Sequence, residues 1–156
     1  MCSKVVAAIL ALAVLVVPRQ ASVAQSNSVH LLRGIKSFDI VLDVSQNRCG
    51  VSQDDIKTSV IFVLSQSRMR ILKESRGSSS WLDLTVNITD NCNAADVYIY
   101  AYSYATVTTN GEHDYVALWR SGAILSGSDN LRQRVLDEVA ARAKALVVAW
   151  SSANSA

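Results

Sequence analysis

Tyr98, Tyr100, Tyr102 and Tyr104 alternate along one short stretch and carry the densest chemistry in this chain. On an extended backbone, residues two apart share a face, so the four rings form one comb. Downstream, Asn110-Gly111 is a strong hairpin signal, because both central positions of a type I′ turn need positive φ. A two-residue turn there pairs Tyr102 with Trp119 and Tyr100 with Ser121. It also adds Tyr115 and Trp119 to the tyrosine face. Val97, Ile99, Ala101, Ala105 and Val107 then fall on the other face with Val116, Leu118 and Ile124. Such a comb is a flat platform that could stack on sugar rings, bases or a partner's apolar side chains. The plainer reading is structural: tyrosine suits a half-solvated antiparallel face.

The sequence carries no recognisable catalytic or metal-binding signature. His30 lies near the start, and His113 sits between Glu112 and Asp114, where alternation sends neighbours to opposite faces. Residues 122–127 have the spacing of a phosphate loop, but Ser128 and Asp129 follow where lysine and Ser/Thr belong. The chain has no G-x-S-x-G elbow and no H-E-x-x-H. Asp39 and Asp43 share a strand face roughly 13 Å apart, too far for the paired carboxylates of a glycosidase, which stand about 5 to 10 Å apart. Asn87-Ile88-Thr89 matches a glycosylation acceptor, a weak signal within a strand. The expectation is a protein that is not an enzyme, with no catalytic residue, metal or cofactor.

Residues 1–24 read as a signal peptide. Lys4 gives a positive start, residues 5–17 are continuously apolar, Pro18 interrupts, and Ser22-Val23-Ala24 offers small residues for cleavage before Gln25. The apolar run is shorter than the roughly 20 residues that span a bilayer. An uncleaved N-terminal anchor is the rival reading. Cys2 precedes the apolar run, so it does not look like a lipidation cysteine. Lys4 and Arg19 belong to the leader, so 13 basic residues would face 13 acidic ones in the mature chain. That balance lacks the basic footprint of a nucleic-acid binder. Arg68, Arg70, Lys73 and Arg76 form the densest basic run, at a helix end that favours cations. Cys49 and Cys92 remain in an oxidising compartment. Two cysteines with no CxxC and no nearby histidine make a disulfide, not a zinc site. It would close a loop of about 43 residues, worth about 4 kcal/mol in the chain-entropy model.

The elements that must position these groups follow from periodicity. Residues 25–35 show none and read as a loose lead-in. Residues 36–44 alternate, with Phe38, Ile40, Leu42 and Val44 on the buried side. Ser52 suits an N-cap ahead of Asp54 and Asp55, and Val51 and Ile56 make a hydrophobic staple. Ile56, Val60, Val63 and Leu64 continue that helix's buried stripe. Residues 69–73 fit a short edge strand, and residues 81–90 alternate again behind Leu82, Leu84, Val86 and Ile88. Residues 126–130 cap a second helix running to about Trp150. Leu131, Val135, Val139, Ala143 and Leu146 line one side of it, and Glu138 and Arg142 form an i,i+4 pair. Residues 151–156 read as a frayed tail. The order β-α-(β)-β-β-β-α over residues 36–150 makes one α+β domain. It is a two-layer sandwich of a mainly antiparallel sheet with two helices on one face. Matching aliphatic faces puts the tyrosines on the open side. Arg120 falls on the wrong side by simple alternation, and a bulge at Ser121-Gly122 would correct it.

Cys49-Gly50-Val51, Leu118-Trp119 with Gly122, Leu125-Ser126-Gly127-Ser128 and Val147-Val148-Ala149-Trp150 resemble a family of small exported proteins of Gram-negative bacteria, which has no assigned activity to carry over. The element order is also similar to small α+β domains of envelope-assembly lipoproteins and to the periplasmic domain preceding some propellers. The expectation is a periplasmic or secreted binding or assembly module, stapled by Cys49 and Cys92. It would meet an envelope or secreted protein partner, with no nucleic acid and no membrane span after cleavage. The alternative is a small-ligand protein that holds a glycan or aromatic compound on Tyr98, Tyr100, Tyr102, Tyr104, Tyr115 and Trp119.

Overall fold

The computed structural model describes residues 29–44, 49–72, 79–106, 108–109, 111–127 and 129–155. The expected leader (1–24) and the first lead-in residues (25–28) lie outside the described residues, as do Lys73 and Arg76 of the basic run and Asn110 of the turn. After a 3-10 turn at Val29–Leu32, the chain forms β1 (Ser37–Val44), α1 (Gln53–Ser65), β2 (Arg70–Leu72) and β3 (Ser80–Ile88). It continues through β4 (Ala94–Thr106) and β5 (His113–Ser126) to α2 (Leu131–Asn154). The five strands make one sheet in the order β2-β1-β3-β4-β5. The expected α+β sandwich is observed, with both helices packed into one core with the aliphatic side of the sheet.

The sheet is mixed. β1 runs parallel to β2 and to β3, while the long β3–β4 and β4–β5 ladders are antiparallel. Parallel neighbours need a crossover, and α1 supplies it between β1 and β2. α1 starts where its residues dictate: Ser52 Oγ accepts from the Asp55 amide at 3.1 Å, and Val51 and Ile56 are both buried. Arg132 at the start of α2 donates to Gly50 O at 2.8 Å and pairs with Asp55 at 3.0 Å, joining the two helix N-termini. Ser52 and then Arg132 hold the Asp55 carboxyl below its usual range by stabilising its charge. Asn130 precedes α2 in left-handed backbone and makes no side-chain cap. The Glu138–Arg142 pair forms, half-buried, and Arg142 also reaches Ser121 Oγ on β5 at 3.2 Å.

Cys49 and Cys92 are bonded, with Cα atoms 5.7 Å apart. They tie the turn before α1 to the turn between β3 and β4. Both take left-handed backbone, at φ 57° and 56°, a conformation that costs a residue with a Cβ about 1–2 kcal/mol.

Residues 29–35 and the last turn of α2 are better tethered than expected. Leu32 is fully buried, so residues 29–35 are not a loose lead-in. Trp150 Nε1 donates to Ile35 O at 2.7 Å, and Asn154 bonds both Leu32 O and the Gly34 amide. α2 therefore persists to Asn154 with Ala153 buried, where a frayed tail was expected. Its last turn is held by the segment it clamps. Among the described residues, no helix is long and apolar enough to cross a membrane.

Candidate functional site: an aromatic and acidic sheet face

The side of the sheet away from the helices carries the tyrosine comb, on the face expected for it. Tyr98, Tyr100 and Tyr102 are half-buried, and Tyr104 and Tyr115 are exposed. Their rings stack along β4, with centroids 6.0 Å apart for Tyr98–Tyr100 and 5.8 Å for Tyr100–Tyr102. Tyr104 meets Tyr115 across the β4–β5 ladder at 5.2 Å and stacks on the His113 ring at 5.3 Å. His113 also bonds Thr106 Oγ1 at 3.0 Å, so it closes the end of the ladder.

Trp119 is not on this face. It lies opposite Ala101 and is 1% exposed, inside the helix-covered core. The cause is a bulge: the ladder pairs Tyr102 with Ala117 and Ala101 with Trp119, leaving Leu118 as the extra residue. A bulge places two consecutive residues against one partner and bends the strand, so Leu118 and Trp119 are both buried. Beyond it, parity is reversed. Arg120 emerges opposite Tyr100, and Ile124, expected in the core, stands 64% exposed opposite Asp96. The bulge thus comes before the expected Ser121-Gly122 and rescues Arg120 at the cost of the Trp119 assignment. The ladder also closes at Thr106–His113, so the connection is longer than the expected two-residue turn.

Trp81 takes the place expected of Trp119. It stacks on Tyr102 at 5.4 Å and presents its edge to Tyr115 at 4.4 Å. Its signal was its parity with Asp83 and Thr85 in β3, on the side opposite Leu82 and Leu84. Trp81, Tyr104, Tyr115 and Ser79 line a hollow of about 320 Å³. Toward the other end, Tyr98 lies directly over Gly122. A Cβ there would sit 2.1 Å from the Tyr98 ring, so only glycine lets the ring lie flat across the strand.

Acids flank the rings. Asp39 stands opposite Trp81 and Asp83 opposite Tyr100, while Asp43 pairs with Thr85. Asp39 is only 8% exposed. Oδ1 of Asp39 and Oδ1 of Asp83 are both buried without a hydrogen-bond partner. Burial, then the charge of Asp43, raises the Asp83 carboxyl above its usual range, against a hydrogen bond from Thr85. Burial likewise raises the Tyr102 hydroxyl, with the charge of Asp83 next in weight. Asp96, by contrast, accepts from Asn87 at 3.0 Å. Among the described residues, no group of three or more His, Cys, Asp and Glu could hold a metal ion. The face can stack on planar or apolar groups and accept hydrogen bonds from donors.

No family model matches this chain, and no curated protein matches it in sequence. Among solved structures, it is similar to the PelC dodecamer from Paraburkholderia phytofirmans. The TM-score is 0.44 at 14% identity, over 74% of this chain and 89% of that one. A variant of the same protein gives 0.44 at 16% identity over the same shares. A minor lipoprotein from Acinetobacter baumannii gives 0.26 at 8% identity, over 76% and 93%. At TM-scores below 0.5, these likenesses establish neither a shared fold nor a shared role.

Proposed function

We propose that this protein is an exported, non-enzymatic binding or envelope-assembly module that meets a protein partner through its open sheet face. The observation that carries the reading is the cluster of Trp81, Tyr98, Tyr100, Tyr102, Tyr104 and Tyr115 on a face that no helix among the described residues covers. Aromatic residues in one contiguous patch are the usual anchors of protein interfaces, since they bury much area at little entropic cost. Export is supported by the Cys49–Cys92 disulfide, which persists in oxidising compartments, and by the leader-like residues 1–24.

Site-specific photo-crosslinking tests the surface. A photoreactive residue at Tyr100 or Tyr104 is expected to capture one discrete protein in the envelope, and one at exposed Phe62 on α1 is not. Equal capture from both faces, or none from the tyrosines, overturns the reading. Intact mass before and after reduction and alkylation tests export. A chain starting at Gln25 with no free thiol is expected, and an intact N-terminus with free thiols contradicts it. A small-ligand role for the same rings is the second reading, favoured by the hollow between Trp81, Tyr104 and Tyr115. A glycan-induced fluorescence change that Tyr100→Ser/Tyr102→Ser removes without unfolding would replace the first reading with this one.

A further inference from the structure

The open face combines two features that call for the same complement. Its rings present electron-rich surfaces, which attract cations. One buried carboxylate oxygen of each of Asp39 and Asp83, Oδ1, has no donor among the described residues, although buried polar groups are nearly always paired. The two acids are diagonal neighbours on adjacent parallel strands, with Cα atoms about 8 Å apart by strand spacing and rise. Trp81 stands directly opposite Asp39 in the register, and Tyr102 stacks on Trp81. Asp43, facing Thr85, adds a third negative charge to the same side. Among the described residues, two cations share this face. Arg120 stands two strands from Asp83, with Tyr100 between them, and Arg70 stands opposite Ser37, diagonal to Asp39 on the neighbouring strand.

Resting on the reading of this face as a protein-docking surface, we propose that Asp39 and Asp83, with the rings of Trp81 and Tyr102, recognise a basic side chain of the partner polypeptide. The guanidinium or ammonium group lies against the Trp81–Tyr102 pair and donates to the two carboxylates. Its aliphatic stem covers the neighbouring ring surface. A neutral partner surface would desolvate both acids further without a compensating charge, so the choice of a basic residue is a matter of specificity as well as attraction.

Calorimetric titration of the full, oxidised protein at low salt tests this. The probes are an acetylated, amidated peptide carrying two arginines and its twin with citrulline in their place. Saturable binding of the arginine peptide is expected, weakened about tenfold by citrulline and about tenfold by Asp83→Asn. Asp39→Asn provides a second variant, and a cooperative circular dichroism melt shows that each variant folds. Equal binding of the two peptides, or undiminished binding to both variants, overturns cation recognition and leaves the aromatic docking face standing. So does binding of neither peptide while Tyr100 still crosslinks its partner. A neutral hexasaccharide that binds through the same tyrosines, in place of the arginine peptide, also overturns it. Failure of the crosslinking itself removes the docking reading beneath the proposal.

Discussion

Trp119 and Trp81 belong to one sheet and serve opposite sides of it. Trp119 is sealed among aliphatic side chains beneath the helices, and even its indole N–H has no hydrogen-bond partner. Trp81 lies against Tyr102 and Tyr115 on the open side, beside Asp39 and Asp83, each with a buried oxygen that has no partner among the described residues. The covered side gains stability from each group it holds: Phe38, Ile56, Leu64, Leu82, Leu84, Val86, Ile99 and Leu146 are all buried. The open side keeps groups that cost stability, namely crowded acids and exposed rings. Such local conflicts within a consistent fold are where binding surfaces are expected. The difference separates residues that hold the chain together from residues placed to meet something else.

Several substitutions probe that separation. Trp119→Ala is the most damaging, since truncating a buried tryptophan costs about 3–5 kcal/mol. Trp81→Ala should cost less, because its ring is only half-buried, although each of its two aromatic contacts is worth about 0.5–1.5 kcal/mol beyond area burial. Urea unfolding of the two variants measures the contrast, and equal losses would erase it. Cys49→Ala/Cys92→Ala should cost about 2–4 kcal/mol, with binding by the open face intact in the molecules that remain folded. Gly122→Ala should cost about 1–3 kcal/mol through overpacking. A shift of the Tyr98 ring resonances would place that damage on the open face, and unchanged resonances would refute the close approach.

The smallest effect is the pH response. The Asp83 carboxyl is raised in the fold, so its contribution is fully present below its unfolded value and lost as pH rises through its folded value. Asp55 is lowered, so its contribution is present above its unfolded value and lost as pH falls through its folded one. Asp83→Asn should therefore gain on the parent protein as pH rises from about 4 to 7, read from urea midpoints. Parallel curves would show that the fold does not disfavour this carboxylate.

Much of this architecture was legible in local sequence. Ser52 with Asp55 and the Val51–Ile56 staple fix the start of α1, and strict alternation in residues 81–88 marks β3's buried side. Alternation also places the tyrosine comb opposite Val97 and Ile99. It fails at Leu118, because one inserted residue reverses every assignment beyond it without altering composition. The misplaced charge of Arg120 was its only trace. The Trp81 contacts were missed because they cross from β3 to β4 and β5, beyond a single hairpin. The tethering of residues 29–35 depends on bonds to Trp150 and Asn154 more than 110 positions away, and no periodicity could announce it.

The most direct test is Tyr100→Ser/Tyr102→Ser, with thermal unfolding and partner capture measured on the same preparation. A face built for contact predicts a cooperative transition, with partner capture lost. Retained capture, or loss of the cooperative fold, would contradict it by showing that these rings are dispensable for contact or required for the core.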